Sequence, residues 1–267
     1  HPQTTPLVEL QNITPKPGVR LFAKLEGQNP SGSIKDRVVN AIIRDAESMG
    51  TIRPGDTIIE ASSGNTAIAL AMVAKQKGYT AHVILPEGVV PSVADLLNLY
   101  GAKITWCEPQ AGLKGAIEIA KQMAEEFGYY PLSQFSSSVN IETHYNTTGQ
   151  EIVEALPSVD VFVAGIGTGG TIMGVGKRLR ESHPNALIVG VEPQMGERLQ
   201  GLRSLSEGFI PPLLDLKKID SRFIVDNANA LKTVRLIAEA EGIFPGVSSG
   251  ATLYAAMRVA QRIDRGN

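Results

Sequence analysis

Short apolar runs alternate with Gly/Ser/Thr-rich loops and longer amphipathic segments along most of the chain, and this rhythm limits its fold more than any other feature. Thr57–Ala61 reads as a strand, the next three residues as a loop, and residues 65–78 as a helix closed by a C-cap glycine. A strand at 82–85, stopped by Pro86, leads to a helix at 91–100, a strand at 103–106 and a helix at 115–127. Strands at 159–164 and 187–191 follow, with helices at 171–181, 231–241 and 251–262. Alternating strands and helices mean βαβ units, so the spacing predicts an α/β protein with mostly parallel, twisted sheets. At 267 residues the length suits one large or two medium domains. Residues 133–157, rich in Ser, Asn and Thr, are expected to separate two open α/β units. Residues 194–226, with Pro211-Pro212 inside, are expected to be irregular, the kind of stretch that often forms a lid.

Composition removes several function classes. Lys+Arg number 25 against 27 Asp+Glu, which leaves no basic footprint for nucleic acid. Apolar residues are 43% and charged residues 19%, enough for a substantial core. No apolar run approaches the ~18 residues of a membrane span. One cysteine, Cys107, excludes a disulfide framework and a CxxC site, and makes a reducing cytoplasmic setting the default. The four histidines lack ligand spacing, so no metal site is proposed. The chain opens His1-Pro2-Gln3 without an initiating Met or a signal-peptide pattern, which reads as a trimmed start. Trp106, Cys107 and the methionines read as packing residues.

Four polar loops stand at helix starts. In Asn29-Pro30-Ser31-Gly32-Ser33-Ile34-Lys35-Asp36-Arg37, Ser33 reads as an N-cap and Lys35 falls in the first turn. The helix dipole there favours the neutral amine that Schiff-base chemistry requires. The plainer alternative is a solvated lysine beside Asp36. Ser62-Ser63-Gly64-Asn65-Thr66 ends a strand and offers hydroxyls, an amide and backbone N–H groups to a carboxylate or phosphate. Gly165-Ile166-Gly167-Thr168-Gly169-Gly170-Thr171 lets the backbone approach an anion, and it also fits the G-x-G-x-x-G dinucleotide pattern. Glu192, ending the next strand, would then sit at a ribose, so an NAD(P)-dependent oxidoreductase is a rival reading that leaves Lys35 and Asn65 without a task. Gly246-Val247-Ser248-Ser249-Gly250 opens the last helix.

Taken together, these loops resemble the fold-type II family of pyridoxal-phosphate (PLP) enzymes. The likeness is strongest to the cysteine synthases, or O-acetylserine sulfhydrylases. It runs nearly end to end, through Thr5-Pro6-Leu7-Val8, Lys24-Leu25-Glu26, NPSGSIKDR, EASSGNTAIALA, LPEG, LYGAKI, HYNTTGQEI, GIGTGGTIMGVGKRL, VEP and GIFPGVSSGA. GLRSLSEGFIP and HYNTTG look more like the B-type enzymes and their O-phosphoserine-using relatives.

The resemblance implies PLP as cofactor and a role for each loop. Lys35 would form the Schiff base and act as acid and base. Asn65 would bond the ring oxygen, and Gly167, Thr168, Gly169, Gly170 and Thr171 would cradle the phosphate. Ser248 would face the pyridine nitrogen, where a neutral hydroxyl makes a weaker electron sink and favours β-elimination over transamination. Ser62, Ser63, Gly64, Thr66 and Gln134 would hold the substrate carboxylate. Arg203 would meet a substrate phosphate, because its fork binds phosphate bidentately; a plain surface arginine is the other reading. The implied reaction is β-replacement on O-acetylserine or O-phosphoserine by a sulfur nucleophile, through an aminoacrylate, to give L-cysteine.

The resemblance also implies a smaller, mobile domain at 37–143 and a larger one made of 1–36 and 144–267. It implies a homodimer, with a serine acetyltransferase tail or a sulfur-carrier protein as further partners. Tyr145 would line the cleft or mark a domain boundary. Some positions depart from the family pattern: GNTPL is Gln3-Thr4-Thr5-Pro6-Leu7 here, the Thr before SGNTG is Ser62, and the following Gly is Ala67. The family continues past the last helix with a further strand and a motif like DGGWKYLS, whereas this sequence stops at Asp264-Arg265-Gly266-Asn267. Residues left out of the sequence, or an inactive truncated relative that only binds a ligand or partner, would each account for that.

Overall fold

The computed structural model describes residues 4–13 and 16–266. In chain order, β1 (Leu7–Glu9) and β2 (Phe22–Lys24) precede α1 (Lys35–Ser48), β3 (Thr57–Ala61), α2 (Asn65–Lys77), β4 (Thr80–Pro86) and α3 (Pro91–Leu99). Next come β5 (Lys103–Cys107), α4 (Gly112–Phe127), β6 (Tyr130–Pro131), α5 (Ser138–His144), a π-helical turn at Tyr145–Gly149 and α6 (Gln150–Ala155). The chain ends with β7 (Val161–Gly165), α7 (Gly170–Ser182), β8 (Leu187–Pro193), β9 (Ser221–Val225), α8 (Asn227–Glu241) and α9 (Val247–Ala260). Among the described residues two compact units divide this order: residues 27–140 in the first, 4–26 and 141–266 in the second.

The first unit is built on a parallel sheet in the order β5-β4-β3-β6. Its inner strands are buried along nearly their whole length, because helices cover both faces. Ile58, Val83 and Leu85 pack on α1, α2 and α3, and α2 is so enclosed that Ala69 through Ala74 are all buried. On the other face α4 lays Ala116, Ala120 and Ala124 against Ile59, Ala61 and Ile84; small residues every fourth position let it approach the sheet closely. Gly78, at φ +80°, closes α2 in the left-handed region, where a glycine carries no steric cost.

The second unit has a parallel sheet β7-β8-β9 and the antiparallel pair β1-β2. α7 packs Ile172 and Met173 with Ile166 and Ile188. α8 and α9 bring Ala230, Ala251 and Ala255 to Val191 and Val225. Both parallel sheets therefore conform to the α/β class that the spacing predicts.

Two stretches differ from their sequence reading. Residues 133–157 hold α5, the π turn and α6, so most of this polar segment is helical. Residues 194–226 contain a strand, β9, paired in parallel with β8 from Val189↔Ser221 to Pro193↔Val225. In both cases tertiary partners outweigh a weak local signal.

Candidate active site

In the first unit Lys35 is the first residue of α1, half-buried, and its N–H donates to Ser33 Oγ at 3.2 Å. Ser33 supports the turn, while Ile34, already helical, occupies the cap position. Asp36 does not sit beside the lysine in solvent. It is fully buried, and its carboxylate turns back to accept the Ser31 N–H at 2.8 Å and the Ser31 hydroxyl. That anchor pins the Asn29–Ser33 loop to the helix carrying Lys35.

At the end of β3, Ser62 Oγ accepts the N–H groups of Gly64 and Ala67, both at 3.1 Å, and so caps α2 from outside the helix. Ser63 and Asn65 are half-buried and Gly64 is buried. The Thr66 hydroxyl donates to Gln134 Oε1 at 2.6 Å, and Gln134 Nε2 donates to the Ala61 carbonyl at 3.1 Å. The fold therefore brings Ser62, Gly64, Thr66 and Gln134 into one hydrogen-bonded cluster although Gln134 lies far along the chain. Gln134 has a second amide N–H to donate to an anionic ligand, and the Thr66 hydroxyl, whose proton goes to Gln134 Oε1, orients that amide.

In the second unit the loop from Gly165 leads into the N-terminus of α7. Gly169 adopts φ +88°, and Thr168 Oγ1 accepts the Gly170 N–H at 3.2 Å. Gly165 and Gly167 serve packing as well: a Cβ on either would strike Leu202 or the Gly201 carbonyl. The segment 201–203 lies in the space they leave, and the Arg203 N–H donates to the Ile166 carbonyl at 2.8 Å. Arg203 thus stands beside the glycine loop. Burial lowers the pKa of its guanidinium, Glu207 offsets this in part, and Arg198 adds repulsion. Ser248 is the second residue of α9, half-buried, with its carbonyl accepting the Thr252 hydroxyl at 2.9 Å.

Two residues that sequence reasoning passed over belong to these sets. His144 is buried; its Nδ1 pairs with Thr148 Oγ1 at 2.9 Å and its Nε2 with Thr171 Oγ1 at 3.3 Å, in the first turn of α7. The π turn and Gly174, where a Cβ would lie 2.7 Å from His144 Cβ, let it come this close. Glu60 is buried next to the Ser62 loop and accepts the N–H groups of Ala61 and Gln134. The HYNTTG block held the signal for His144; nothing local marked Glu60.

Glu192 does not play the part the dinucleotide reading gives it. It is buried, with Oε1 accepting the Leu205 N–H at 2.8 Å and Oε2 paired with Arg222 at 3.2 Å. Both carboxylate oxygens are engaged by the protein, which leaves that reading without its acid.

In the first unit, a lysine at the start of α1 suits chemistry on an aldehyde; in the second, the loop of backbone and hydroxyl donors at the start of α7 suits a phosphate. The chain matches the family described as pyridoxal-phosphate dependent enzyme over residues 1–267, and it belongs to that family. It is 42% identical to a cysteine synthase of Staphylococcus aureus over 98% of this chain and 87% of that protein. It is 40% identical to cysteine synthase B of Pseudomonas aeruginosa over 97% and 87%. Among solved structures, an O-ureido-L-serine synthase superposes with a TM-score of 0.93 at 36% identity, over 98% and 86% of the two chains. A hydrogen sulfide-producing enzyme of Fusobacterium nucleatum does so with a TM-score of 0.92 at 34% identity, over 97% and 90%. The protein is a PLP-dependent enzyme, with the parallel α/β architecture of the fold-type II group. No helix among the described residues is long and apolar enough to cross a membrane.

Proposed function

We propose that this enzyme makes L-cysteine by β-replacement on an O-activated serine. The observation that carries the reading is the cluster of Ser62, Thr66 and Gln134 at the N-terminus of α2, in the same unit as Lys35. It provides a site for an α-carboxylate and an amine to work at the α-carbon. The two relatives named cysteine synthase support this choice of reaction.

PLP, when bound, supplies an electron sink for the pair released at the α-carbon. Everything else falls to the chain. Lys35 takes the α-proton and later returns it. Acetate or phosphate leaves the β-carbon with the C–O bonding pair, and the sulfur nucleophile forms the new C–S bond. The α2 N-terminus, with Ser62, Ser63, Gly64, Thr66 and Gln134, holds the carboxylate while Lys35 works at the α-carbon. Asn65 holds the cofactor's ring oxygen, Gly167 to Thr171 offer neutral donors to its phosphate, and Ser248 offers a hydroxyl to its ring nitrogen. Arg203, tethered beside the glycine loop, favours O-phosphoserine over O-acetylserine. Dimerisation and a cytoplasmic setting belong to the same reading.

The test is cysteine formation from each ester with sulfide, alongside the visible spectrum of the PLP-loaded protein. Wild type should show a Schiff-base band and form cysteine. Lys35→Ala should lack both. Arg203→Ala should raise the KM for O-phosphoserine about tenfold or more and leave that for O-acetylserine within twofold. A wild-type protein that holds PLP and makes cysteine from neither ester would end this proposal.

A further inference from the structure

We propose that Glu60 is a positioning residue: its buried carboxylate holds the left-handed turn at Ser133 and thereby aims Gln134 at Thr66. The inference rests on reading Gln134 and Thr66 as ligands of the substrate carboxylate.

Ser133 has φ +57°, the one non-glycine residue with positive φ among the described residues. A side chain in that region costs free energy and persists only where its surroundings enforce it. The Ser133 hydroxyl contributes little, since its contact with the Pro131 carbonyl is 3.5 Å long. Glu60 supplies the enforcement. Its Oε2 accepts the Gln134 N–H at 2.9 Å, and the Ser133 N–H acts on the same carboxylate. Consecutive N–H groups around a left-handed residue converge on one point, a nest that suits an anion. Oε1 accepts the Ala61 N–H at 2.8 Å, which fixes the carboxylate to the end of β3.

The consequence reaches the ligand side through Gln134. With its N–H held by Glu60 and its carbonyl accepting Asn140 Nδ2 at 2.8 Å, the Gln134 backbone presents the side chain to the Ala61 carbonyl and Thr66. A buried acid at this point is itself costly. Burial pushes its pKa up to about 7, against the pull of the Gln134 and Ala61 N–H groups and of Lys35. An apolar residue there would pack without that cost, but it would leave the Ser133–Gln134 amides without an acceptor.

The experiment compares Gln134→Ala, Glu60→Gln, Ser133→Gly and the double variant Glu60→Gln/Ser133→Gly in the PLP-loaded protein, with O-acetylserine and sulfide. Gln offers one acceptor oxygen where Glu offers two; glycine at 133 removes the steric cost of positive φ. Gln134→Ala should raise KM about tenfold. Glu60→Gln should raise it at least fivefold with kcat within twofold and PLP affinity, from absorbance titration, unchanged. Ser133→Gly alone should leave KM within twofold, and the double variant should recover most of the loss. In the PLP-free protein, hydrogen exchange of a peptide covering residues 132–136 should speed up about tenfold in Glu60→Gln and return in the double variant.

Unchanged KM in Gln134→Ala would remove the carboxylate reading, and the inference with it. A raised KM in Gln134→Ala with none in Glu60→Gln would overturn the role of Glu60 alone. So would a Glu60→Gln loss that Ser133→Gly fails to restore. Should Glu60→Gln not fold, Glu60→Asp keeps both oxygens but withdraws them by one methylene; a KM unchanged in that variant would also overturn the proposal.

Discussion

A Cβ placed on Gly167 would lie 2.6 Å from the Gly201 carbonyl oxygen, and one on Gly165 2.3 Å from Leu202 Cδ2. The two overlaps differ in kind. A leucine tip can rotate, but a backbone carbonyl moves only with its segment, and Arg203 is tied into that segment through Ile166. Gly167→Ala should therefore destabilise the PLP-free protein by about 1–3 kcal/mol in urea unfolding and weaken PLP binding in absorbance titration. Gly165→Ala should cost less in both, and equal costs would show that the 201–203 segment yields freely. In the sequence these glycines read only as room for an anion, because the segment that fills the space comes from a later, irregular stretch. Glu60 was hidden for a similar reason. A carboxylate at the end of an apolar strand reads as an edge residue, and its partner Gln134 is reached only through the fold. The helix starts at Lys35, Asn65 and Gly170 were legible because the polar residues before each announce it.

At the scale of elements, the β1-β2 pair is fastened to α6 by one ammonium group. Lys24 Nζ, almost out of solvent, lies 2.9 Å from Glu151 Oε2 and donates to the Thr5 carbonyl at 2.6 Å and to its hydroxyl oxygen at 2.5 Å. The Thr5 hydroxyl in turn donates to Glu26 Oε1 at 2.5 Å. Removing one member of such a buried set strands the opposite charge, which costs about 3–5 kcal/mol, whereas replacing both partners with apolar residues is nearly neutral. Lys24→Met should lower the urea-unfolding free energy by roughly that amount, and Lys24→Met/Glu151→Leu should recover part of it, because Glu26, 3.9 Å from the same ammonium, still loses its cation. Additive losses in the double variant would mean the pair contributes through packing instead. Lys24-Leu25-Glu26 drew notice as a sequence block, but strands of three residues carry no periodic signal, so β1 and β2 stayed unread. β3 and α2 were read closely because an apolar run, a polar loop and a C-cap glycine follow one another there. β9 escaped because it opens on exposed Ser221-Arg222 and sits on a sheet edge.

For the molecule as a whole, the order of blocks along the chain pointed to the family that the whole-chain match bears out. Its response to acid and base follows instead from two buried groups on neighbouring strands of the first unit, whose signs oppose. Burial raises Glu60 from its ordinary 4.5 to about 7, so the folded state disfavours the charged form. Its contribution is fully present below pH 4.5 and is lost as pH rises through 7, roughly 2–3 kcal/mol between pH 5 and 8. His82, on β4, is lowered from its ordinary 6.5, first by burial and then by Lys103. Its Nε2 meets Thr105 Oγ1 at 2.8 Å, and its buried Nδ1 has no hydrogen-bond partner among the described residues. That contribution is present above pH 6.5 and is lost as pH falls, because the unfolded chain then takes up the proton first. Urea unfolding of the PLP-free protein at pH 5, 6.5 and 8 separates the two. Relative to wild type, Glu60→Gln should gain stability by roughly 2–3 kcal/mol on going from pH 5 to 8, whatever it loses at pH 5 from the missing acceptor. His82→Gln should gain in the opposite direction, from pH 6.5 down to 5. Curves that stay parallel to wild type in either variant would mean that the group keeps its ordinary pKa in the fold, with water or a partner reaching it.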